Sequence, residues 1–278
     1  MSYIIEKMLF FSCILLFFQN VTFGNLNFSL KIQPYDIVEV ILIDPQGKRL
    51  GYDKETKNII DEISPQQLLT SYEGPSGYYG EGNSVFPKQY KLLELFSPVK
   101  GLYTLKVIGV SSGLYSLEML ISIHNIHEKP KREYKYGIIK KGEEHLYEIY
   151  LASSSSEECI IKKRVNIELI ERELINGYKF KLIKNKKILN TLLKQIRETQ
   201  QNIKRNKIEF VIKNLQQFIE ILNEEKLRLI REKNVDPIYA ISPIYPPNWQ
   251  LYKEIFLPID ILISDAETLL REFKKWKW

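Results

Sequence analysis

The 278-residue chain is 44% hydrophobic and 27% charged, values that supply a sizeable core and exclude a sequence too polar to fold. Its formal charge of +6 is divided unevenly: residues 1–158 hold 16 Lys and Arg against 19 Asp and Glu, and residues 159–278 hold 24 against 15. The only cysteines, Cys13 and Cys159, exclude a disulfide-stapled scaffold. The change of charge sign along the chain predicts two units with different surfaces. Charges in the basic half alternate in sign, which suits a solvated helical surface and gives no specific nucleic-acid tract.

In chain order, residues 1–24 read as a signal peptide. Lys7 precedes the apolar run Met8 to Phe18, which is too short for a comfortable membrane span. Thr22 and Gly24 are small enough for the −3 and −1 positions of a cleavage point near Gly24–Asn25, with an uncleaved amino-terminal anchor as the alternative. Secretion or display at a cell surface by bacterial-type export follows as an expectation.

Residues 25–152 carry short period-two runs separated by turn residues, the pattern of an all-β sandwich, Ig-like or jelly-roll. Asp36 to Ile43 is the first strong strand, and Asp44-Pro45-Gln46-Gly47 after it suits a type I turn. Tyr103, Leu105 and Val107 alternate with Thr104, Lys106 and Ile108, and Tyr115, Leu117, Met119 and Ile121 alternate with Ser116, Glu118 and Leu120. With Ser111-Ser112-Gly113 between them, these two runs predict a β-hairpin with one buried face.

Residues 153–160, opening with four serines, read as a linker. Over 161–278 the period changes to that of helices, and an all-α bundle is expected. Ile167, Ile170 and Leu174 begin a helix that Gly177 can end. Stripes follow at Ile188 to Ile196, Ile208 to Leu222 and Ile259 to Phe273. Asp236 to Asn248, with four prolines, reads as a loop.

Two resemblances attach to these phrases. The first rests on the run from Asp44 to Asp53, on Asn58-Ile59-Ile60-Asp61-Glu62-Ile63, and on the repeated phrases Gly101-Leu102-Tyr103-Thr104-Leu105 and Gly113-Leu114-Tyr115-Ser116-Leu117. Over about residues 30–123 these are similar to a β-sandwich module of secreted bacterial proteins, in the style of the pre-peptidase carboxy-terminal domain. The second covers about residues 165–273. Ile183-Lys184-Asn185-Lys186-Lys187-Ile188, then Leu192-Leu193-Lys194-Gln195-Ile196, Phe218-Ile219 and Leu262-Ile263-Ser264-Asp265-Ala266-Glu267 make up its phrases. They resemble the FIMAH-type helical domain found at the carboxy end of secreted bacterial enzymes and surface proteins. The resemblances imply export and an accessory role, and they carry over no catalytic residues.

Chemistry-bearing residues are few. His124 and His127 are three apart after a strand, which points them to opposite faces and disfavours a metal pair. No metal, cofactor or catalytic constellation is expected. Tyr72, Tyr78 and Tyr79 lie in a Gly-rich stretch and could offer aromatic faces to a ligand. Lys274, Lys275, Trp276 and Trp278 interleave bases and aromatics, a pattern suited to a polyanion or membrane surface. The expectation is a non-catalytic exported adhesion, scaffold or accessory module whose partner is a secreted protein or cell-surface polysaccharide. The alternatives are an accessory or remnant region of a secreted hydrolase, and a basic binder of anionic membranes or polymers.

Overall fold

The computed structural model describes residues 27–35, 37–53, 58–63, 92–96, 98–124, 130–151, 158–235 and 249–275. The expected signal peptide at 1–24 and the proline-rich stretch 236–248 lie outside the described residues. Ten strands are described: β1 (Asn27–Tyr35), β2 (Val38–Ile43), β3 (Arg49–Asp53), β4 (Asn58–Asp61), β5 (Leu93–Phe96), β6 (Gly101–Gly109), β7 (Gly113–His124), β8 (Lys131–Ile139), β9 (Glu144–Leu151) and β10 (Ile160–Lys163). They form two antiparallel sheets, one ordered β5-β1-β7-β8 and the other β10-β9-β6-β2-β3-β4. The inward side chains of both make one apolar core, with Leu30, Met119 and Leu95 from the first sheet and Leu42, Leu105 and Ile149 from the second.

The alternation at Tyr103 to Val107 and Tyr115 to Ile121 does mark buried faces. The expected hairpin between them is not formed. β6 pairs with β2 and β9, whereas β7 pairs with β1 and β8. The chain crosses from one sheet to the other between them, and the connections from β1 to β2 and from β8 to β9 cross likewise. Backbone hydrogen bonds stitch these three crossings together: Val110 N donates to Ile37 O at 2.8 Å, and Gly142 N donates to Gly109 O at 2.8 Å. A buried face fixes which residues point inward, but it is equally satisfied by pairing within a sheet or by facing across the core.

The turn after β2 forms as expected, with Gly47 N donating to Asp44 O at 3.0 Å and the Asp44 carboxylate accepting from Gln46 N and Lys48 N. Strand β10 extends the six-stranded sheet just after the serine-rich stretch, pairing with β9, so Ile160 to Lys163 belong with the strands.

Five helices are described: α1 (Ile167–Lys179), α2 (Lys186–Lys204), α3 (Ile208–Lys233), α4 (Trp249–Ile255) and α5 (Leu257–Lys275). Asn166 and Asn185 cap α1 and α2 by accepting backbone N–H bonds. The apolar stripes of α1, α2, α3 and α5 meet in a core that includes Leu174, Leu192, Phe218 and Leu262. Gly177 does not end its helix, which continues to Lys179. It is buried, and a Cβ there would lie 2.9 Å from Ile183 and 3.3 Å from Ile138 of β8. Close approach explains this glycine, since its backbone stays helical. A smaller cluster of Ile138, Ile230, Tyr252, Phe256, Leu257 and Ile261 joins β8 to α3, α4 and α5. Among the described residues no helix is long and apolar enough to cross a membrane.

Candidate functional site

Helix α5 has two working faces. Its apolar stripe enters the helical core, while Asp260, Ser264, Asp265, Thr268, Arg271 and Glu272, most of them three or four apart, line a cleft against the strands. The opposite walls are β8 and β10, which stand at the ends of the two described sheets. The cleft has a volume of about 620 Å³.

Its floor is a buried polar network. β10 alternates Lys162 and Lys163, and Lys163 points to the interior with its side chain 9% exposed. Lys163 Nζ donates to Asp265 Oδ2 of α5 at 2.6 Å and to Glu173 Oε1 and Oε2 of α1 at 2.9 and 3.1 Å. Glu173 Oε1 also accepts from Ile138 N of β8 at 3.0 Å. One lysine thus ties a strand to two helices, and one carboxyl group ties α1 to the other sheet.

Burial alone would lower the Lys163 pKa, but the Asp265 and Glu173 carboxylates outweigh it and hold the ammonium above the ordinary lysine value. Burial raises the Glu173 carboxyl well above the ordinary range, and the neighbouring Asp265 adds to that against the opposing pull of Lys163.

Next to it, the Tyr115 hydroxyl lies 2.8 Å from His145 Nδ1 and 2.9 Å from the Tyr147 hydroxyl. Burial, with the positive charges of Lys163 and Arg172, lowers the His145 pKa to about 2, so the imidazole is neutral. With the imidazole neutral, its 3.6 Å separation from Glu173 Oε1 is not an ion pair. Burial also pushes both tyrosine hydroxyls above the ordinary phenol range.

Further along the cleft, Asp260 accepts from Lys226 Nζ of α3 and from the Tyr252 hydroxyl of α4, each at 2.6 Å. Tyr134 and Tyr136 of β8 and Arg271 and Lys275 of α5 also line the cleft.

The structure places the sequence-derived candidates unevenly. Tyr72, Tyr78, Tyr79, Trp276 and Trp278 lie outside the described residues, as do Cys13 and His127. Lys274 and Lys275 end α5, and Lys275 reaches the cleft. Cys159 is buried. Among the described residues no three His, Cys, Asp or Glu side chains converge as a metal-ligand set. Sequence reasoning missed Lys163, Glu173, Asp265 and the Tyr115–His145–Tyr147 chain. The available signal was the i, i+4 polar stripe on α5, which has the same period as the apolar one.

Comparison of the chain with protein-family models, with characterised proteins and with solved structures finds no match.

Proposed function

We propose that the chain is a non-catalytic exported accessory or adhesion module, a β-sandwich of Ig-like or jelly-roll type with a helical bundle, that holds an anionic, hydroxyl-rich cell-surface polymer in the cleft between β8, β10 and α5. The observation that carries this is the composition of the cleft wall. It has six Lys and Arg against three Asp and Glu, together with four tyrosines. Three of the cations, Lys162, Lys163 and Lys226, are paired with the three carboxylates. Arg271 and Lys275, one turn apart on α5, form no salt bridge among the described residues, although their charges help hold the Glu272 carboxyl below its ordinary value. Paired charges hold the walls in place, and the surplus supplies attraction for an anion. Tyrosine faces and hydroxyls suit sugar rings. The exported and accessory parts of the reading rest on the leader and on the two family resemblances.

The test is equilibrium binding of the full chain to polygalacturonate and to neutral dextran, at low and high salt. The expected result is binding to polygalacturonate that weakens with salt and falls in an Arg271→Ala, Lys275→Ala double variant, with little binding to dextran. Binding that the double variant leaves unchanged, or no binding to polygalacturonate, overturns the reading.

A further inference from the structure

A second groove, about 380 Å³, lies beside the cleft and shares Lys162, Thr268 and Glu272 with it. Both volumes fall in the range of about 300–1,000 Å³ usual for ligand sites. Two of the shared residues form an ion pair, Lys162 Nζ to Glu272 Oε1 at 2.6 Å, reaching from β10 to α5 with side chains 39% and 38% exposed. Lys162 and Lys163 alternate on β10, so the strand sends one ammonium to the interior network and the other to this surface strap.

We infer that the two cavities are subsites of one extended site for a chain of anionic sugars, and that the Lys162–Glu272 strap is displaced when such a chain runs through. This rests on the function proposed above. A partly exposed ion pair contributes little to stability, so opening it costs little. A ligand carboxylate takes over Glu272's place on Lys162. Beyond the strap the groove offers Arg164 and Arg172. Arg164 is paired with Glu148 at 2.7 Å, while Arg172 is exposed and has no hydrogen-bond or ion-pair partner among the described residues. Arg172 is therefore the cation available to a second ligand charge. A short ligand fills only the larger cleft, whereas a longer one gains the groove.

The experiment measures affinity of the full chain for oligogalacturonates of increasing length, in wild type, Glu272→Gln and Arg172→Ala. Both substituted side chains stand at the surface, so folding is retained. The expected result is affinity that rises with length. Glu272→Gln tightens long oligomers about fivefold by removing the competing carboxylate, and Arg172→Ala weakens long oligomers about fivefold while leaving the shortest binding oligomer unchanged. Binding of short and long oligomers with equal affinity, or Glu272→Gln binding more weakly than wild type, overturns the extended site and leaves the cleft reading standing. No binding at any length overturns both.

Discussion

Lys163 and Asp265 lie 102 residues apart in the chain and 2.6 Å apart in the fold, joining the last described strand to the last described helix. Burial makes this contact consequential. Lys163→Met removes the counter-charge of a buried carboxylate and is expected to cost about 3–5 kcal/mol. Lys163→Met with Asp265→Leu removes that carboxylate as well and is expected to recover much of the loss. Urea denaturation of the two variants checks the order.

His145 and Glu173 predict opposing responses to pH. The folded His145 pKa is depressed, so its contribution is present above 6.5 and is lost as pH falls below 6.5 towards about 2. The folded Glu173 pKa is raised, so its contribution is present below 4.5 and is lost as pH rises through 4.5 towards the folded value. Between 4.5 and 6.5 the raised Glu173 pKa and the lowered His145 pKa therefore act on stability with opposite slopes. Relative to wild type, His145→Gln should gain about 1.4 kcal/mol per unit as pH falls through this window, and Glu173→Gln should lose stability over the same fall. Urea midpoints at several pH values decide it; parallel profiles would refute the assignment.

Gly137 faces Tyr115 across the β7–β8 pair, and a Cβ there would stand 2.5 Å from the tyrosine ring and hydroxyl. Gly137→Ala must therefore push Tyr115 off His145 and Tyr147. The expected cost is about 1–3 kcal/mol. In the Tyr115→Leu background the same substitution should cost less, a non-additivity that thermal melts of the four proteins measure.

The Tyr103 hydroxyl donates to Val99 O at 2.7 Å, closing the turn that leads into β6. Tyr103→Phe leaves that carbonyl without its donor and is expected to cost about 1 kcal/mol, read as a shift in urea midpoint at unchanged m-value.

Much of the fold was legible in the sequence and much of the site was not. Period-two runs marked the inward faces of β6 and β7, and period-3.6 stripes marked α2, α3 and α5, because burial on one face imposes those spacings directly. Sheet membership was not legible, since Tyr103 and Tyr115 are buried either way. Strand β10 was hidden because Ile160–Lys163 is four residues long and half charged. Lys163, Glu173 and Asp265 look like any solvated charges until three distant elements are brought together. Helix α5 shows the difficulty most clearly: its polar stripe reads as a solvent face, yet it packs towards the strands.

The crossings between sheets also bear on how the chain folds. Asn27 pairs with His124, and Val38 with Gly109, so the central strands must find partners far along the chain. Neighbouring α2 and α3, by contrast, are joined by a short turn. Contacts distant in sequence carry a large loop-closure cost and slow folding. Refolding is therefore expected to show early helix formation followed by slower closure of the sheets, with Lys163 reaching Glu173 and Asp265 only in the later phase.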